Sequence, residues 1–129
     1  MFPVIDPQNG IPIFEQVCRQ VKFAIADKAY LPGELLPSVR EMAQKMAVNP
    51  NTVARSYGEL QREGIIESVR GTGMQIAADA TQLCQKERKR LIQERIASVL
   101  QEAKASQISR DDVNRFIERE MNRLWKNSQ

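Results

Sequence analysis

A chain of 129 residues that is 42% hydrophobic has apolar mass for one domain with an appendage, and not for a large multi-step enzyme. It has no histidine, so the commonest general base and transition-metal ligand is missing, and neither an enzyme, a metal site nor a cofactor is expected. The net charge of +3 sits wholly in residues 79–129, which carry eleven basic and eight acidic side chains, whereas residues 1–78 carry eight of each; global charge thus argues only weakly for a polyanionic partner.

The chain starts Met1-Phe2-Pro3-Val4-Ile5-Asp6-Pro7, without the basic start and apolar run of an export signal, and no apolar stretch of about 18 residues follows anywhere. Cys18 and Cys84 are far apart and outside any CxxC pair, as in reduced thiols of a cytoplasmic protein. Apolar residues then recur at Phe14, Val17, Cys18, Val21 and Ile25, the spacing of an amphipathic helix over residues 12–28. Phe23 falls on the opposite, polar side of that wheel. It is either a lone exposed aromatic or a contact for the C-terminal helices or a second subunit. Tyr30-Leu31-Pro32-Gly33-Glu34-Leu35-Leu36-Pro37 reads as a loop turned by Pro-Gly, with leucines free to drop into the core.

Ser38-Val39-Arg40-Glu41 fits the capping box, in which a serine hydroxyl and a glutamate three residues on satisfy each other's helix-end amides. A short helix over residues 39–46 follows, burying Val39, Met42, Ala43 and Met46, and Ala47-Val48 makes a turn. Asn49 is a favoured N-cap and Pro50 a favoured first helical residue, so a second helix opens at Pro50 and runs to about residue 63. Val53, Tyr57 and Leu60 mark its buried stripe. Asn51, Arg55 and Arg62 fall on the other side, with Thr52 and Glu59 flanking. Gly64 closes this helix, and residues 65–77 read as strand, glycine-tipped turn and strand, with Arg70 at the tip.

Helix, tight turn, helix and hairpin in that order spell a winged helix-turn-helix. The N-terminal turns of its second helix present side chains to base edges in the major groove. Arginine pairs bidentately with guanine and asparagine with adenine, while threonine meets phosphate or the thymine methyl, which makes Asn51, Thr52 and Arg55 the candidate readers. Arg40, Lys45 and Arg55 outweigh Glu41 across residues 38–57, a local basic excess suited to phosphate. Ser38, Asn49 and Ser56 complete the candidate DNA-binding set on the helices, and Arg70, Gly71, Thr72 and Gly73 supply the wing. A winged-helix module that docks a protein and never meets DNA is the competing reading, favoured by the zero net charge of residues 1–78.

From residue 79 the chain becomes a charged helical tail. Leu91, Ile92, Ile96, Val99, Leu100 and Ala103 form one apolar stripe; Ser109 caps a further helix on which Val113, Phe116, Ile117, Met121, Leu124 and Trp125 form another. Two such helices cannot bury both stripes on each other, so they need a partner surface, either the N-terminal domain or a second copy of the chain, and the second copy makes them the candidate dimerisation residues. The run Lys86-Glu87-Arg88-Lys89-Arg90 reads as a solvated helix face. The expected fold is therefore mainly α with a small β-hairpin: a winged helix-turn-helix domain over residues 1–78, then a dimerisation tail over residues 79–129.

The segments Ile13-Phe14-Glu15-Gln16-Val17, Leu31-Pro32-Gly33-Glu34-Leu35-Leu36-Pro37-Ser38-Val39-Arg40-Glu41-Met42-Ala43, Val48-Asn49-Pro50-Asn51-Thr52-Val53-Ala54-Arg55 and Leu60-Gln61-Arg62-Glu63-Gly64-Ile65-Ile66 resemble the GntR family of bacterial transcription regulators, and within it the small YtrA-like group. The resemblance implies a homodimeric regulator, expected to be a repressor, on a two-fold symmetric double-stranded DNA operator, with the tail joining the subunits. It implies contacts through Arg40, the start of the second helix, and the wing at Arg70, Gly71, Thr72 and Gly73. It also implies control of a membrane-transporter operon. Many family members carry arginine where this chain has Pro50 and Ala54, so its base-reading set differs, with Arg55 the candidate to compensate. The usual turn glycine is replaced by Ala47, which suits a turn that avoids the left-handed region. About 50 residues of charged helix leave little room for an enclosed metabolite pocket inside one tail, so an effector is left open, with a small ligand between subunits as the alternative.

Overall fold

The computed structural model describes residues 5–126. In chain order it contains α1 (Ile13–Ala26), α2 (Val39–Met46), α3 (Pro50–Arg62), β1 (Ile66–Val69), β2 (Gly73–Ile76), α4 (Ala80–Ala105) and α5 (Arg110–Trp125). The chain forms two compact units that meet between Lys89 and Arg90. The change of character seen in the sequence comes earlier, at residue 79, but Ala80 and Cys84 are fully buried with the core of the first unit.

That core is built from the apolar stripes of the three short helices. Val17, Val21 and Ile25 of α1 meet Met42 and Met46 of α2 and Val53, Tyr57 and Leu60 of α3, closed below by Ile66 and Ile76 of the hairpin. Helices of eight to fourteen residues have little stability in isolation, so this shared burial is what holds them. Gln16 pins the N-terminal segment to α1: its Nε2 donates to Asp6 O and Ile11 O, each at 2.8 Å, and its Oε1 accepts from Asp6 N.

β1 and β2 pair antiparallel, Ile66 opposite Ile76 and Val69 opposite Gly73. The loop before α2 does more than connect. Leu36 N donates to Met74 O, Ile76 N to Glu34 O and Gly33 N to Ile76 O, so Leu35 bridges to Gln75 and the wing gains a third, short edge. This corrects the expectation that the loop leucines enter the core: Leu36 is buried but Leu35 is exposed, because an extended, paired segment points alternate side chains to opposite faces, and Leu31, before the Pro32-Gly33 turn, is exposed as well.

Four helices end in the same way. After α1, α2, α3 and α4, a residue with positive φ is followed by a six-to-one bond, from Ala29 N to Ala24 O, Val48 N to Ala43 O, Ile65 N to Leu60 O and Ile108 N to Ala103 O, the Schellman arrangement that satisfies orphan carbonyls. Gly64 takes this conformation without strain, but Lys28, Ala47 and Gln107 also take it. Ala47 (φ 57°, ψ 47°) is therefore in the left-handed region after all, since the angle between α2 and α3 requires it and the six-to-one bond rewards it. Ala47→Gly is expected to raise the unfolding free energy by about 0.5–1 kcal/mol, a left-handed penalty relieved and partly offset by glycine's unfolded-state entropy. Denaturant midpoints of the two proteins measure it.

Cys18 and Cys84 are free and buried, and burial pushes both thiols up to about 11. In an unfolded chain they titrate near about 8.5. Between these values the unfolded state has lost thiol protons that the folded state keeps, so stability is full below about pH 8.5 and falls as pH rises toward 11. Urea unfolding at stepped alkaline pH checks the slope; Cys18→Ala,Cys84→Ala should flatten it.

In the second unit, α4 continues past Lys89 to Ala105 and α5 starts at Arg110. Ser109 caps α5, accepting from Asp112 N at 3.1 Å. A groove of about 350 Å³ separates the two helices, lined by Ile92, Ile96, Val99 and Leu100 from one and Val113, Phe116 and Ile117 from the other. Leu91, expected on the dimerisation face, is already buried in the single chain, although its neighbour Ile92 is exposed. Val113 is half-buried, and the other expected dimerisation residues are exposed. Among the described residues no helix is long and apolar enough to cross a membrane.

Candidate nucleic-acid interface

The start of α2, the start of α3 and the wing supply the candidate surface, and each is fixed by local hydrogen bonds. Ser38 Oγ accepts from Glu41 N at 3.1 Å while Glu41 Oε1 accepts from Ser38 N at 3.0 Å, completing the expected capping box. The hydrogen bonds from Ser38 hold the Glu41 carboxyl below the usual carboxylate range, so it is ionised wherever DNA would be bound. Asn49 Oδ1 accepts from Asn51 N at 2.7 Å. The acceptor oxygens of Ser38 and Asn49 are thus engaged by their own helices, which makes both residues architectural first.

Arg40, Lys45, Asn51 and Arg55 are exposed, as are Arg70, Gly71, Thr72 and Gly73 on the wing, and Thr52 is half-buried. Asn51 and Arg55 stand one helical turn apart on the face opposite Val53, Tyr57 and Leu60. Gly71 (φ 75°) and Gly73 (φ 138°) adopt left-handed backbone with open space where a Cβ would be, which leaves the wing tip thin enough to lie close to a backbone or groove wall. A groove of about 500 Å³ joins wing and α2, lined among others by Ser38, Glu41, Thr72 and Gly73. Tyr57 ties α3 to the same corner by donating to Pro37 O at 2.7 Å.

Ser56 does not belong to this surface. It is fully buried, and its one hydroxyl proton is shared between Thr52 O and Phe14 O, each at 2.9 Å. The sequence signal was there: Ser56 lies beside Tyr57 and three residues after Val53, on the buried stripe. What it does is join α3 to α1.

Phe14 is the residue that sequence periodicity misplaced. Its spacing predicts core, yet it is half-buried, with the Arg55 guanidinium 3.7 Å above its ring centroid. Only packing of α1 on α3 could reveal that pair. Phe23, expected to be covered or alone, is likewise half-buried. The Lys86–Arg90 run is not the wholly solvated face expected of it: inside the first unit Glu87 accepts from Lys22 at 3.3 Å and Arg88 pairs with Asp27.

Three helices, a two-stranded wing and an exposed polar face on the second helix of the pair define a winged helix-turn-helix protein of the DNA-binding type. Residues 13–76 match the model of the bacterial regulatory proteins of the gntR family. The chain is 36% identical to the HTH-type transcriptional repressor YtrA of Bacillus subtilis (strain 168), over 88% of this chain and 87% of that one. It superposes on a GntR family transcriptional regulator from Listeria monocytogenes with a TM-score of 0.64 and 28% identity, covering 87% of this chain and 97% of that one. It also superposes on the DNA-binding domain of AraR, solved in complex with operator ORE1, with a TM-score of 0.51 and 26% identity over 60% of this chain and 93% of that one. The chain belongs to the GntR family of transcription regulators, a family of DNA-binding proteins and not of enzymes. The similarity to YtrA extends past the winged helix into the tail.

Proposed function

We propose that the protein is a cytoplasmic repressor that binds, as a homodimer, a two-fold symmetric operator, and that the operator controls a transporter operon. One observation carries the reading: the face of α3 bearing Asn51 and Arg55 is exposed while the opposite stripe is closed in the core. Asn51 and Arg55 read bases, with Thr52 beside them; Arg40 and Lys45 meet phosphate; Arg70 and the wing from Gly71 to Gly73 hold the flanking groove. The comparison with an AraR domain bound to its operator supports the docking mode, and the repressor YtrA supports the direction of control.

Dimerisation rests on the second unit. Ile92, Ile96, Val99, Leu100, Phe116, Ile117, Met121, Leu124 and Trp125 are each between 39% and 62% exposed, and the first six line one groove, more large apolar surface than a monomer in water ordinarily leaves open.

Selection of bound fragments from randomised and genomic DNA, followed by a salt titration of the winning duplex, tests the reading. A reader enriches a palindromic sequence and loses affinity steeply as salt rises. No enrichment, with salt-insensitive binding to proteins alone, would mark a protein-docking module instead. Within the enriched site, Arg55→Ala is expected to cost about 1–3 kcal/mol and to relax preference at particular base pairs. Uniform weakening across all sequences would make Arg55 a phosphate contact.

A further inference from the structure

We infer that Phe14 is a positioning residue for base recognition: its ring holds the Arg55 guanidinium in the orientation from which it reads DNA. The inference rests on the reading of α3 as the recognition helix and adds a residue of α1 to the specificity machinery.

The guanidinium carbon lies 3.7 Å from the ring centroid, well inside the range of a cation–π contact. The five N–H donors of arginine lie in the plane of the guanidinium, so packing on a ring covers one face and leaves the donor edge open. That edge is what pairs with guanine O6 and N7. Arg55 is still exposed, so the stacked side chain remains within reach of a duplex.

The platform is itself fixed. Ser56, next in sequence to Arg55, bonds to Phe14 O at 2.9 Å, and Cys18, one turn along α1, donates its Sγ–H to Ser56 O at 3.6 Å. Two backbone ties on neighbouring turns therefore set the distance between the ring and the base of the arginine side chain. A free arginine loses substantial rotamer freedom on docking, and one already stacked has less to lose. Arg62 provides the contrast, since on the same helix it pairs with Glu59, which occupies its donor edge.

The test is a double-mutant cycle on the duplex enriched by the wild-type protein from a randomised DNA library. Phe14→Leu keeps apolar volume and removes the ring; it should weaken that duplex about fivefold, with the loss concentrated at the base pairs that Arg55→Ala also relaxes. In the Arg55→Ala background, Phe14→Leu should change affinity less than about twofold, and Phe14→Tyr should bind as the wild type does. Equal losses from Phe14→Leu in both backgrounds, or a loss spread evenly over all base pairs, would overturn the inference and leave Phe14 a packing residue. So would an Arg55→Ala protein with unchanged base preference, while the DNA reading itself would stand. Failure of the wild-type protein to enrich any duplex would instead defeat the DNA reading, and the inference with it. A measurement on the folded wild-type protein needs no variant: the Arg55 side-chain protons should show an upfield ring-current shift in NMR spectra, and random-coil shifts would overturn the stacking.

Discussion

Phe116→Glu is expected to leave a folded monomer that binds a full operator about 100-fold more weakly than the wild type, while affinity for a single half-site is nearly unchanged. Phe116 lines the apolar groove between α4 and α5 and is 51% exposed, so in one chain a carboxylate there can reach water. Across a subunit interface it would be desolvated in a groove whose lining is apolar except for Arg95, and burying a charge there costs several kcal/mol unless it is fully paired. The loss of affinity follows from geometry: joining two readers makes the second half-site contact intramolecular. Sedimentation with a half-site and full-site titration separates the effects. A Phe116→Glu protein that still sediments as a dimer would show that the subunits meet elsewhere.

Lys22→Met is expected to destabilise the first unit by about 3 kcal/mol at neutral pH, toward the low end for breaking a buried pair because the glutamates are partly exposed. The lysine side chain is only 8% exposed; its Nζ lies 2.7 Å from Glu63 and 3.3 Å from Glu87. It joins the end of α3 to the first turns of α4. Burial opposes its charge, but the hydrogen bond and charge of Glu63, with Glu87 behind it, outweigh burial and move the ammonium above its ordinary value. The wild-type contribution is thus complete below the usual lysine range and fades only as pH rises through the higher folded value. In Lys22→Met the two carboxylates face each other without a cation, so part of the loss should be recovered as pH falls and one of them takes a proton. Urea unfolding at neutral and mildly acidic pH measures both. A deficit independent of pH would mean that lost stem packing, and not unpaired charge, is the cause.

Much of this molecule is written in local chemistry. α2 occupies residues 39–46 as expected, and α3 opens at Pro50 and ends within one residue of expectation, because Ser38, Asn49, Pro50 and Gly64 act on backbone groups within a turn of themselves. The candidate readers Asn51 and Arg55 followed from the same periodicity. Ser56 lies on the buried stripe with Val53 and Tyr57, so the same period places it in the core and off the candidate surface. Ala47 is left-handed although alanine disfavours that region, because the backbone there is set by how the chain turns between two packed helices, which residue type alone does not reveal.

The order of elements, the helix boundaries, the wing and the polar face of α3 are properties of neighbours a few residues apart, and the amino-acid sequence alone was enough to determine them. Tertiary structure decided what depends on residues distant along the chain: that Leu35 pairs with the wing, that Lys22 clasps Glu63 and Glu87, and that Phe14 lies beneath Arg55. Helical period tells which way a side chain points, but only the packing of one helix on another determines what it meets there.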